Sequence, residues 1–362
     1  MEKIAFALIL LTMSCSSAPQ KTEKVTTQNS NTPAQPESNY VTDLRITNNQ
    51  GIKTGDVIQL AFITTKASFP DSIKLAMDGI PQLTLKPTQN TFDWETKKVN
   101  PGLHNILATF YWEYPVQESK SLQVVLNSDI IPEKYTYKVI KSWTHNSKAY
   151  TQGLEFSNGF LYEGTGQYGE SMLYKIDVTT NEIVQSLNLP GDVFGEGISI
   201  FNDKIYQLTW RSNVGYVYDK DDFKKLFEFN YPTEGWGLTN NGKELIMSDG
   251  SENIYFLDPE FFQETRRIQV YDSNGPQKSL NELEWIGNEI FANVYGSDRM
   301  IAFDPKTGKI TKDIDLSGLL NPKDCKGPID VLNGIAYNAP AQQLVVTGKW
   351  WPKFFQIALI KR

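Results

Sequence analysis

Tyr174-Lys175-Ile176-Asp177, Tyr216-Val217-Tyr218-Asp219, Tyr255-Phe256-Leu257-Asp258 and Ile301-Ala302-Phe303-Asp304 repeat one pattern, a short strand closed by an aspartate. Turn chemistry follows each, most plainly in Asp258-Pro259 and Asp304-Pro305-Lys306-Thr307-Gly308, and then another strand, as over 182–187 and 309–314. Ahead of each aspartate lies a further apolar strand centre, at Leu161, Ile205, Leu245 and Ile290, with a fifth at Leu344. The spacings are 44, 40, 45 and 54 residues. Several strands per unit at that period predict a β-propeller and not a helical solenoid. Five units predict five blades over residues 135–362. The fifth block carries Phe355-Gln356-Ile357-Ala358 without the acid and ends one strand short. The strand-like stretch 135–143 has no partner of its own, so it is expected to pair into the last blade and close the ring, which protects edges that an open sheet would expose.

Upstream of the repeat the pattern changes. Seven short alternating strands are predicted over 41–47, 57–64, 72–77, 82–86, 92–97, 104–114 and 121–126, with Asp78-Gly79 as a hairpin turn. Seven strands in about ninety residues predict an immunoglobulin-like β-sandwich over 40–128. The fold class is therefore all-β, with this N-terminal sandwich followed by the five-bladed propeller. No convergent polar residues mark a site in the sandwich, which reads as a spacer or as a docking module for an unidentified partner. Residues 16–39 are rich in Ser, Thr, Gln, Asn and Pro and read as a disordered tether.

Residues 1–15 read as an export signal. Met1-Glu2-Lys3 precedes the apolar run from Ile4 to Leu11, too short to span a bilayer. Thr12-Met13-Ser14-Cys15 resembles a bacterial lipobox, with Leu11 one place further from the cysteine than usual. Cys15 is the expected lipidation site, so the protein is expected in the cell envelope, exported and held to the membrane through the lipid alone. Only Cys325 then remains, which leaves no intrachain disulfide.

Composition narrows the function. Aromatics at 12% favour strands over helices. A net charge of −7 without a basic run excludes a nucleic-acid partner. His104 and His145 are the only histidines, too few for an ordinary zinc hydrolase site. No metal and no cofactor are expected.

Five segments carry candidate chemistry: Tyr150-Thr151-Gln152-Gly153-Leu154-Glu155-Phe156, Phe194-Gly195-Glu196-Gly197-Ile198, Glu234-Gly235-Trp236-Gly237-Leu238, Leu280-Asn281-Glu282-Leu283-Glu284-Trp285 and Thr347-Gly348-Lys349-Trp350-Trp351-Pro352. They are expected in the connections that enter successive innermost strands, at one mouth of the channel. Gly195 and Gly197 are expected to turn the backbone tightly around Glu196. Walled by Phe194, Trp210 and Trp236, that carboxylate would lose solvent and gain a pKa suited to proton transfer. Gln152 and Asn281 offer amides to a carboxamide substrate, and Lys349 offers a cation to a carbonyl oxygen gaining charge. Asp177, Asp219, Asp258 and Asp304 read as turn formers.

Those segments, with Tyr162-Glu163-Gly164-Thr165-Gly166, Gln207-Leu208-Thr209-Trp210 and Val331-Leu332-Asn333-Gly334-Ile335-Ala336-Tyr337, resemble the plant and bacterial type of glutaminyl-peptide cyclotransferase. The likeness covers about 135–360. It implies a five-bladed propeller that converts the N-terminal glutamine of peptides or proteins to pyroglutamate and releases ammonia. It further implies Glu196 as general acid/base, with Lys349 and Asn281 acting beside it and Gln152 holding the substrate amide. Phe194, Trp210 and Trp236 would form the aromatic wall. Tyr295 stands where the family commonly has tryptophan, which keeps a flat ring and adds a hydroxyl. Two other readings compete. A propeller glycosidase would pair Glu196 with Glu155, Glu282 or Glu284 across a sugar bond, and a lactonase would need a metal held by acids and amides. A non-catalytic envelope scaffold is the third.

Overall fold

The computed structural model describes residues 40–362 apart from Asn49. The signal, Cys15 and the tether lie outside the described residues. What is described is strand and turn, with one 3-10 turn at Pro322–Asp324.

The first seven strands are β1 (Val41–Ile46), β2 (Val57–Thr64), β3 (Ser72–Met77), β4 (Ile80–Leu85), β5 (Thr91–Glu95), β6 (Gly102–Tyr111) and β7 (Gln117–Leu126). They make two sheets, one ordered β1-β2-β5 and the other β4-β3-β6-β7. Period-two alternation decides what each strand buries. On β6, Ile106, Ala108 and Phe110 are buried while Asn105 and Leu107 face out. With Ile58, Leu60 and Phe62 of β2 and Trp94 of β5 they form one core. At the β3–β4 hairpin Asp78 and Gly79 both take positive φ, 50° and 79°, as a two-residue turn matching strand twist requires.

Next come β8 (Glu133–Thr144) and five meanders. The first is β9 (Thr151–Ser157), β10 (Phe160–Thr165), β11 (Met172–Asp177) and β12 (Ile183–Asn188). The second is β13 (Gly195–Phe201), β14 (Lys204–Thr209), β15 (Val214–Asp219) and β16 (Lys225–Asn230). The third is β17 (Leu238–Asn240), β18 (Leu245–Ser248), β19 (Asn253–Leu257) and β20 (Glu264–Gln269). The fourth is β21 (Leu280–Ile286), β22 (Glu289–Val294), β23 (Arg299–Phe303) and β24 (Ile310–Asp315). The last has only β25 (Leu332–Asn338), β26 (Gln343–Gly348) and β27 (Lys353–Lys361). Its fourth strand is β8, antiparallel to β27 from Lys353 opposite Thr144 to Lys361 opposite Tyr135. The start of β8 also runs parallel to β24, with Glu133 opposite Lys312, which joins the last two meanders into one eight-stranded sheet.

The first strands of the meanders pack in a closed order: β9 on β13, β13 on β17, β17 on β21, β21 on β25, and β25 back on β9. Apolar side chains fill the space between neighbours. Leu154, Leu161 and Ile176 of the first meander meet Ala336, Val345 and Phe354 of the last. The aspartates at the strand ends are turn formers. Asp177 Oδ1 accepts the backbone N–H of Thr179 and Thr180 at 2.7 and 3.1 Å, and Asp258 Oδ1 does the same for Glu260 and Phe261 at 2.8 Å each. Such Asx bonds close a turn on its own backbone.

Candidate active site

Ten side chains line a cavity of about 230 Å³: Tyr150, Gln152, Gln167, Phe194, Glu196, Trp210, Trp236, Asn281, Tyr295 and Lys349. All eight site residues expected from the sequence are among them. Tyr150 and Gln167 are additions. Tyr150 was in plain view two places before Gln152, whereas nothing in the sequence marks Gln167.

One backbone device places most of the polar groups. Gly195 pairs with Thr209 and Ile198 with Gln207, so three steps on β13 oppose two on β14. The same slip occurs on β21 between Leu280 and Leu283 and on β25 between Leu332 and Ile335. On β9 two residues, Thr151 to Gly153, span one step of β10. Each is a β-bulge, which re-aims side chains locally. The residues at the bulges are Gln152, Glu196, Asn281 and Asn333. Consecutive residues there can both point inward, as buried Asn281 and Glu282 do.

Two expectations are corrected. Glu196 and Asn281 sit inside strands and not in entry connections, and Gly195 and Gly197 take no positive φ. What glycine supplies is close approach: a Cβ on Gly197 would lie 2.6 Å from Trp236 O, and one on Gly153 2.4 Å from Ile198 N. The neighbouring first strands could not pack with side chains there. The Lys349 segment, too, does not enter an innermost strand. It is the turn between β26 and β27, closed by Trp351 N–H donating to Gly348 O at 3.0 Å.

Glu196 is buried, and Gln152 Nε2 donates to its Oε1 at 3.1 Å. Gln152 is held by Asn333, whose Nδ2 donates to Thr151 O at 3.0 Å and lies 3.4 Å from Gln152 Oε1. Burial pushes the Glu196 carboxyl well above the usual range; nearby Lys349 opposes this and Glu234 adds to it. Such a shift favours the protonated carboxyl, the form that can give a proton. Lys349 is also buried and makes no ion pair among the described residues. Its Nζ lies 4.8 Å from the Tyr150 ring centre and 5.0 Å from that of Tyr295, two cation–π contacts. Burial lowers its pKa, against the pull of Glu196 and Asp330. Tyr150 is fixed by its hydroxyl, which donates to Asp330 Oδ2 at 2.7 Å. The Asn281 Oδ1 is buried without a hydrogen-bond partner among the described residues, which few buried polar atoms are.

The walls are aromatic. Phe194 meets Trp210 edge to face at 5.7 Å and Tyr150 at 6.0 Å, and Trp236 meets Tyr295 at 5.5 Å. Trp285 and Trp351 are packing residues elsewhere. Glu155, Glu282 and Glu284 do not line the cavity. Glu155 Oε2 accepts from Ile200 N at 2.8 Å, Glu282 accepts from Leu154 N and Ile335 N at 3.2 and 2.9 Å, and Glu284 Oε1 accepts from Tyr337 N at 2.7 Å. They tie first strands together. A second catalytic carboxylate for the glycosidase reading is therefore missing from the cavity's lining.

An all-β fold that holds one buried acid in an aromatic-walled cavity has the arrangement of a small-molecule or enzyme site. Comparison with known proteins gives the family. A family model described as glutamine cyclotransferase matches residues 109–359, and the chain belongs to that family. The match reaches back into β6, further than the likeness read from about residue 135. Over 228 residues the chain is 39% identical to a glutaminyl-peptide cyclotransferase of Arabidopsis thaliana, covering 61% of this chain and 71% of that protein. The crystal structure of Myxococcus xanthus glutaminyl cyclase superposes with a TM-score of 0.61 at 30% identity, over 64% of this chain and 100% of that one.

Proposed function

We propose that this protein converts the N-terminal glutamine of peptides or proteins to pyroglutamate with release of ammonia, using Glu196 as the acid/base. The observation that carries the reading is the convergence of Glu196, Gln152, Asn281 and Lys349 inside one aromatic-walled cavity. The neutral α-amine attacks the side-chain carbonyl carbon, so a new C–N bond forms and the bond to the leaving nitrogen breaks. Glu196 takes the proton that the amine loses and gives it to the departing ammonia. Its Oε2 has no hydrogen-bond partner among the described residues and is left for this role. Lys349 stabilises the carbonyl oxygen as it gains charge. The amides of Gln152 and Asn281 hold the carboxamide, and the walls fold the side chain back onto the amine, making ring closure a well-oriented step. One carboxylate moves the proton throughout, so this scheme asks for no metal.

The test is a mass measurement. A Gln-initiated peptide should lose the mass of one ammonia with or without a chelator, while its N-acetylated counterpart stays intact. Equal turnover of the acetylated peptide would exclude attack by the α-amine.

The same reading extends to the architecture. We read the five meanders as the blades of a five-bladed propeller, supported by the closed order of their first strands. The two N-terminal sheets read as an immunoglobulin-like sandwich, supported by seven strands around one core, and as a spacer or a docking module. Cys15 would carry a lipid that anchors the exported protein to the cell envelope. Cys15→Ala should then move the activity from the membrane pellet to the soluble fraction; unchanged pelleting overturns the anchor.

A further inference from the structure

Glu234 lies between β16 and β17 and touches neither Glu196 nor the reacting atoms by hydrogen bond, yet it holds both tryptophans of the cavity. Its Oε2 accepts the indole N–H of Trp210 at 2.7 Å and that of Trp236 at 3.0 Å. Its Oε1 accepts Arg211 Nε at 2.8 Å, and the Arg211 guanidinium lies 3.8 Å over the Trp210 ring. Trp210 is thus held at its edge by the carboxylate and on one face by the cation bound to that carboxylate. Trp236 is held at its edge by the same oxygen, while its ring lies so close to Gly250 that a Cβ there would sit 2.6 Å from it. An indole N–H can only donate, and a carboxylate oxygen has two lone pairs, so one oxygen can serve two rings.

We propose that Glu234 is a positioning residue for this reaction, fixing Trp210 and Trp236 as one rigid slot for the substrate's glutamine side chain. The proposal rests on the cyclotransferase reading of the cavity. Geometry carries it, and the charge of the carboxylate agrees with it. The two rings come from different meanders, Trp210 after β14 and Trp236 before β17, so their mutual angle depends on a bridge. The bridge is charged: burial raises the Glu234 carboxyl, but bonds from Trp236, Arg211 and Trp210 bring it below the usual range. Its charge also reaches the acid/base, adding to burial in raising Glu196. A ring-closing reaction is sensitive to such placement, because small displacements of oriented groups cost large factors in rate.

Glu234→Leu and Glu234→Gln in the full chain separate positioning from bulk structure. Glu234→Leu should cost roughly tenfold to a hundredfold in kcat/KM on a Gln-peptide, mostly through KM. Its tryptophan emission should shift and become more open to a neutral quencher, with unchanged far-ultraviolet dichroism. Glu234→Gln keeps an acceptor oxygen, so KM should recover most of the way, while the acidic limb of the kcat/KM profile moves to lower pH because the charge near Glu196 is gone. Wild-type KM with unaltered emission in Glu234→Leu would overturn the proposal. So would a Glu234→Gln variant as impaired in KM as Glu234→Leu. If the wild type proved inactive on Gln-peptides the cyclotransferase reading would fall, and the emission and quenching of Glu234→Leu would still decide whether Glu234 fixes the two rings.

Discussion

Asn281 and Glu282 are neighbours in sequence, both buried, and they belong to two different regions of the molecule. Asn281 lines the cavity with Glu196, Gln152 and Lys349. Glu282 belongs to the belt of carboxylates, with Glu155 and Glu284, that ties the first strands together. Burial pushes Glu196 and Glu282 alike well above the usual carboxylate range. What separates them is hydrogen-bond capacity. Glu282 gives both oxygens to backbone N–H groups of Leu154 and Ile335. Glu196 accepts one amide from Gln152 and keeps an oxygen in reserve. A perturbed acid is available for chemistry only where its partners are incomplete.

The sharpest way to break this contrast is to neutralise each acid in turn. Glu196→Gln should keep the fold and lower kcat by ~10²–10⁴-fold, about 3–5 kcal/mol in barrier, on steady-state kinetics. A folded Glu196→Gln variant near wild-type rate would remove Glu196 from the chemistry. Glu282→Leu should act on stability, because it strands two buried N–H groups at ~1–3 kcal/mol each. Denaturant unfolding should show that loss, with turnover of the folded fraction changed far less than in Glu196→Gln. Abolished turnover at unchanged stability would instead place Glu282 in the reaction.

The smallest effect is the pH dependence of the belt. Burial raises Glu155 to about 8, and burial with mutual repulsion raises Glu282 and Glu284. Their folded pKa values exceed the unfolded value of about 4.3, so the folded state binds more protons through the interval. Stability from this source is complete below the unfolded pKa and is lost as pH rises through the folded values. Stability against thermal unfolding should therefore fall between about pH 5 and pH 9, and Glu155→Gln should flatten that slope. An unchanged slope in Glu155→Gln would show that the belt does not hold its protons.

Much of this was legible beforehand. The aspartate-ended strands reported the meanders because an Asx turn is a local device, written within four residues. The alternation of Ile106, Ala108 and Phe110 reported the upstream sheets for the same reason. Glu196 was legible as a cavity residue through its company, with Phe194 two places away and glycines on both sides. Glu234 was not, although it stands in the same motif as Trp236, since its role depends on Trp210 from another meander. The expectation for Gly195 and Gly197 erred because a glycine flanking an acid looks the same whether it turns the chain or lets a neighbouring strand approach.

The sequence by itself determined the strands, their repeat and the chemical inventory of the cavity, because each is carried by side-chain pattern over a few residues. Only the tertiary structure decided which buried acid is free to react. The partners that occupy Glu282 are backbone groups 128 and 53 residues away, brought within reach by the closed packing of first strands. Backbone N–H groups are the same in nearly every residue, so no local pattern announces where one will be needed.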